Sequence, residues 1–156
     1  MHRQRVRLLQ ALVRGVPCLT GSPQFGALLQ EFGEVHSVRR IRRATRRRIL
    51  EVLHSTRALD STLKAFVDHH GCLSKGRHGR AGSIPKNLGA YLYALRDHTV
   101  PALAKLPEAQ RQRFQKTIVD ARNTYMHQAG AFPGSDVDIH LLLGEMHACL
   151  AVVSRL

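Results

Sequence analysis

Between Gly33 and Gly71 the chain contains neither glycine nor proline. An unbroken stretch of this length is hard to place in anything but helix, because the two residues that punctuate chain direction are missing from it. Val35, Val38, Ile41, Ile49, Val52, Leu53, Leu59, Leu63, Phe66 and Val67 recur at helical intervals along it. That spacing keeps one apolar face and predicts a single long helix over 34–70, with room for a bend. On the opposite side of its first half stand Arg39, Arg40, Arg42, Arg43, Arg46, Arg47 and Arg48.

The remaining segments follow the same period. Val6, Leu9, Leu12 and Val13 predict a first helix over 3–14, which Gly15, Pro17, Gly21, Ser22 and Pro23 break. A short helix is expected over 23–32, with Ser22 as cap and Pro23 in its first turn. Residues 71–83 read as a glycine-rich basic loop. Ser83 and Pro85 then open a helix from about Ile84 that carries Leu88, Leu92, Leu95 and Leu103, with Pro101 kinking or splitting it. Pro107 and Glu108 start a helix that runs through Phe114, Ile118 and Val119 to Tyr125 and Met126 and ends before Gly130, Pro133 and Gly134. Ser135 or Asp136 caps a last helix bearing Ile139, Leu142, Leu143, Met146, Leu150 and Val153. No alternating run makes a strand. The expectation is an all-α, up-down bundle of about five to six helices, formed as one domain over 1–156.

Charge narrows the partners. Lys and Arg together number 24 against 11 acids, a formal charge of +13. A field of that sign attracts polyanions, and nucleic acid is the expected partner. With no acidic run in the chain to neutralise them, Arg39, Arg40, Arg43, Arg46 and Arg47 are expected to contact an RNA backbone, joined by Lys75, Arg77 and Arg80 of the loop. Such contacts position RNA without reading bases. Gly71 to Gly76 invites comparison with a phosphate-binding loop, but Arg77 and His78 follow it and no strand precedes it, which excludes that reading.

Three widely spaced cysteines, Cys18, Cys72 and Cys149, fit reduced thiols better than a disulfide framework. His69, His70 and Cys72, or His140, His147 and Cys149, lack a four-ligand zinc spacing, so no metal and no cofactor is expected. The start of the chain has the basic and apolar look of a leader, yet Gln10 and Arg14 interrupt it and its spacing is helical. No segment is apolar enough to span a bilayer. The reading is a cytoplasmic protein that does not enter the membrane.

The chemistry concentrates in Arg122-Asn123-Thr124-Tyr125-Met126-His127. Arginine offers a permanent cation whose planar fork fits phosphate oxygens. Histidine exchanges a proton near neutral pH. Five positions along an ideal helix turn a side chain by ~140°, so Arg122 and His127 do not share a face. They can converge only where the helix loosens near Ala129-Gly130, or where a two-fold partner supplies the facing pair. Asp60 or Asp68 on the long helix can orient a side chain of the site.

This segment resembles the R-x4–6-H motif of HEPN domains, with Arg122 at the arginine, Asn123 at the polar residue that follows it, and His127 at the histidine. The helical character of the chain and the motif's place before a final helix agree. The resemblance implies a metal-independent endoribonuclease, active as a homodimer with a composite cleft, in a toxin or antiviral-defence role, with an antitoxin or regulatory protein as a further partner. By the same resemblance, His127 handles the 2′-hydroxyl or leaving-group proton, Arg122 holds the scissile phosphate, and Asn123 orients a neighbour or contacts the phosphate. A toxin branch of the family carries tyrosine two residues after the histidine; this chain has Ala129 there. The alternative class is a non-catalytic helical nucleic-acid-binding subunit of a larger complex.

Overall fold

The structure is a computed structural model that describes residues 2–73 and 86–156. The described residues are all-α. In order they form α1 (His2–Arg14), the single turn α2 (Pro17–Thr20), α3 (Phe25–Ser37), a 3₁₀ turn (Val38–Arg40), α4 (Ala44–His69), α5 (Leu88–Asp97), α6 (Glu108–Phe114), a π-helical segment (Gln115–Asp120), α7 (Ala121–His127) and α8 (Asp136–Val153). The π segment joins α6 to α7 without a break, so the fold is a bundle of six main rods plus the α2 turn.

Helix α4 is the member around which the others pack, touching α2, α3, α5, α7 and α8. Its buried face carries Val52, Leu59, Leu63, Phe66 and Val67 at helical intervals. They meet Val6, Leu9 and Val13 of α1, Phe32 and Val35 of α3, Tyr91, Leu92 and Leu95 of α5, Phe114 and Ile118, and Leu143, Met146 and Leu150 of α8 in one core. The hydroxyls buried on α4 are satisfied within the helix. The Thr56 hydroxyl donates to Val52 O at 2.8 Å and the Thr62 hydroxyl to Ala58 O at 2.7 Å.

The helix expected over 34–70 is two helices joined by an elbow. Ile41 and Arg43 are extended, with ψ of 119° and 107°. The reason is electrostatic. A continuous helix would stack seven arginines at three- and four-residue spacing, where like charges repel. The elbow instead lets Arg39 and Arg47 converge on acids. Arg39 Nη1 lies 3.2 Å from Glu51 Oε1 and 3.3 Å from Asp136 Oδ2. Arg47 Nη2 and Arg48 Nε each donate to Asp136 Oδ1 at 2.8 Å, and Arg48 Nη1 reaches Gly134 O at 2.7 Å. This cluster ties the elbow to the start of α8.

Other boundaries also move. Pro17 starts α2 within the segment expected to be a simple break. The Ser22 hydroxyl accepts from Gln24 N at 3.2 Å, and α3 begins at Phe25. Helix α5 begins at Leu88, because Asn87 Oδ1 accepts from Ala90 N at 3.0 Å and caps it; the expected start at Ser83, Ile84 and Pro85 lies outside the described residues. It stops at Asp97, so Pro101 and Leu103 belong to the following turns. Ser135 caps α8 through a reciprocal pair with Asp138.

Candidate functional site

A cavity of about 750 Å³ opens between α4, α5 and the α6–α7 rod. Leu53, Leu88, Val119, Tyr93 and Cys72 supply apolar wall, while Arg57, Asp60, Lys86, Asn87, Arg122 and Asn123 supply polar groups. Gln115, Val119, Arg122 and Asn123 line it together from one side of the rod. A π-helical turn winds more residues per hydrogen bond than an α turn and changes which residues face a neighbour downstream. This one ends two residues before Arg122.

Arg122 is half-buried, and its Nη1 donates to Asn123 Oδ1 at 2.9 Å. Of the two acids the sequence offers, Asp60 is the one at the site. It lines the cavity and accepts from the Leu88 backbone N–H at the start of α5. Burial raises its carboxyl above the ordinary range, and the nearby Arg122 charge pulls it back down. Asp68 pairs instead with Lys64 one turn away on the outer side of α4.

His127 does not join this wall. Tyr125 and Met126 pack against the core, and His127, the last residue of α7, is exposed and makes no side-chain hydrogen bond or ion pair among the described residues. The helix does not loosen to swing it back; Gln128 leaves in an extended conformation directly after it. One copy of the chain therefore presents Arg122 and Asn123 together and His127 apart from them.

The cavity has a second polar corner. His98 is buried, with Nε2 3.2 Å from Ala104 O, and its Nδ1 has no partner among the described residues. Gln115 Oε1 is also buried and without a partner among the described residues, 3.2 Å from where a Cβ on Gly89 would stand. Burial pushes the Cys72 thiol up to about 11, so it lines the cavity as a neutral group and not as a nucleophile.

The arginine-rich segment divides in two. Arg39 and Arg47, expected on an RNA backbone, are taken up by Glu51 and Asp136, as is Arg48 by Asp136. Glu51 is fully buried, and burial raises its carboxyl despite the two guanidiniums beside it. Asp136 is held well below the ordinary carboxylate range, chiefly by its hydrogen bond from Arg48. The acids that neutralise these arginines are single residues, Glu51 one turn from Arg47 and Asp136 far along the chain, so no acidic run announces them. Arg40, Arg42, Arg43 and Arg46 remain exposed and form no ion pair among the described residues. Lys75, Arg77 and Arg80 lie outside the described residues.

The sequence did not point to Arg57, Lys86, Asn87, Tyr93 or Gln115, which join the site from three helices only on folding. The one available signal was Asn87 before an apolar helical run, a capping pattern.

No family model matches this chain, and neither a curated protein nor a solved structure matches it. Among the described residues no helix is long and apolar enough to cross a membrane.

Proposed function

We propose that this chain is a metal-independent endoribonuclease whose active site is composite, with Arg122 and Asn123 of one copy facing His127 of a second copy of the chain. The observation that carries the reading is the separation within one helix: Arg122 and Asn123 line the cavity, while His127 stands exposed at the end of α7, with no partner among the described residues. A histidine held free in solvent and an arginine aimed into a cleft fit a site that closes only across a two-fold axis. The likeness of residues 122–127 to the HEPN motif gives the same assignment of roles.

In this reading His127 takes the proton of the RNA 2′-hydroxyl or delivers one to the leaving oxygen. Arg122, steadied by Asn123 and by the field of Asp60, stabilises the charge on the phosphate as the 2′-oxygen attacks. The products are a 2′,3′-cyclic phosphate and a 5′-hydroxyl, and DNA, lacking the 2′-hydroxyl, is not cut. Phe132, Val137 and Leu141 are exposed at 55%, 62% and 65%, shortly after His127 in the chain. Val137 and Leu141 share one face of α8 and offer an apolar surface on which two copies can meet. Three free thiols fit a cytosolic location, and a toxin or antiviral effector, restrained by an antitoxin or regulatory protein, is the role we assign.

A second reading has its own observation. The four exposed arginines Arg40, Arg42, Arg43 and Arg46, which form no ion pair among the described residues, suit a non-catalytic nucleic-acid-binding subunit. Incubation with RNA in EDTA separates the two. The nuclease reading expects cleavage that His127→Ala abolishes; intact RNA both with and without EDTA, or cleavage unchanged by that substitution, refutes it and leaves the binding reading.

A further inference from the structure

We propose that Cys18, His69 and His70 form a zinc site that clamps α2 to the C-terminal end of α4. One ligand atom from each residue lies within 4.8 Å of the other two. Sequence proximity pairs the two histidines with Cys72, but Cys72 is buried against the cavity, and the fold brings Cys18 of α2 to them in its place.

The histidines are held by a well-formed helix end. Gly71 adopts φ +65°, its N–H donates to Asp68 O at 3.2 Å, and the Cys72 N–H donates to Val67 O at 2.9 Å. This paired closure fixes the backbone of His69 and His70 just before the left-handed glycine. The His70 ring rests on Phe66, with centroids 4.5 Å apart, and the His69 ring meets it edge-on at 4.8 Å. Cys18 follows Pro17, whose fixed φ starts the short α2 turn against α4.

The donor set is one thiol and two imidazoles, with no carboxylate among them, which selects a borderline-soft ion over magnesium or calcium. Zinc–sulfur and zinc–nitrogen bonds near 2.3 and 2.1 Å place tetrahedral ligand atoms about 3.3–3.6 Å apart. Closing from 4.8 Å is a matter of rotamer adjustment, since His69 is exposed and Cys18 half-buried. Three protein ligands leave a fourth position for water. On binding, the Cys18 proton leaves to solvent and the thiolate ligates the ion. The nuclease chemistry proposed above uses no metal, and the ion joins two segments far apart in sequence.

The test uses the full chain, stripped with EDTA and titrated with Co²⁺ as a spectroscopic substitute for Zn²⁺. One Co²⁺ per chain is expected, with tetrahedral visible bands and a near-ultraviolet thiolate-to-cobalt band. Cys18→Ser removes the thiolate band and Cys72→Ser keeps it. Zn²⁺ raises the Tm of the wild type and not of His69→Ala, a surface change that spares the fold. A six-coordinate spectrum without a thiolate band, or a thiolate band that Cys18→Ser leaves in place, overturns the site. Should Cys18→Ser not fold, His69→Ala decides alone: stoichiometric binding retained in that variant refutes the proposal.

Discussion

Arg122 donates to the side chain of its own neighbour, Asn123, at 2.9 Å, and the two line the same cavity. The pair behaves as a preformed fork: Asn123 restricts a guanidinium that would otherwise sample many rotamers. Replacing Asn123 with Ala removes one exposed hydrogen bond, worth at most about 0.5–1.5 kcal/mol. RNA cleavage is expected to slow about two- to tenfold, mainly in kcat. Arg122→Ala is expected to abolish measurable cleavage with the fold intact. Single-turnover kinetics with circular dichroism on each variant check both.

The exposed arginines and the paired ones should separate by experiment. Arg43→Ala with Arg46→Ala is expected to weaken RNA binding and to lower the salt dependence of the association constant by about one unit of log–log slope per arginine. Arg39→Ala with Arg47→Ala removes both guanidiniums named beside the buried Glu51 and should cost about 1–3 kcal/mol of stability, read as a lower Tm. A large loss of Tm in the Arg43/Arg46 variant, or none in the Arg39/Arg47 variant, contradicts the division.

Acid should act through Asp136. Its folded carboxyl lies below its unfolded value, so its contribution is fully present above about pH 4 and is lost as pH falls through the folded value. Glu145, lowered chiefly by its bond from Arg113, adds in the same direction. Glu51 and Asp60, both raised by burial, act in the opposite sense, relatively favouring the fold at low pH. The wild-type Tm is expected to drop below about pH 4, and Asp136→Asn, less stable at pH 7, should drop less steeply. Parallel Tm–pH curves would refute the assignment.

The fold was legible where the apolar period was long and regular. Val6 to Val13, Val52 to Val67 and Ile139 to Val153 were read as helices and form the core. The elbow at Ile41–Arg43 was not, because its cause lies in Asp136, far along the chain, and a periodicity of apolar residues carries no record of a distant acid. The π segment leaves no trace in the sequence for a related reason: the apolar period of 3.6 runs through 115–120, and nothing in Gln115-Lys116-Thr117 marks the wider turn. At the site, the separation of Arg122 from His127 followed from helix geometry alone. The cavity, with Asp60 chosen over Asp68, needed three helices in place.

The exposed face of α8 gives a test of assembly. Val137→Asp with Leu141→Asp places two charges on a surface that is apolar and solvent-facing in the single chain. Such a change should leave the Tm of one copy nearly unchanged, within about 0.5 kcal/mol per site. The variant is expected to sediment as a monomer and to lose RNA cleavage together with dimerisation. A dimeric, active double variant would place the contact elsewhere.

The most direct measurement is complementation between two inactive chains. Arg122→Ala and His127→Ala, each inactive alone, are mixed in equal amounts and allowed to exchange subunits. In a composite site each mixed dimer keeps one intact Arg122–His127 pair, so about a quarter of the wild-type activity should return, the statistical share for a freely exchanging two-fold dimer. Chains shown to exchange subunits that stay inactive in the mixture would contradict a site divided between two copies.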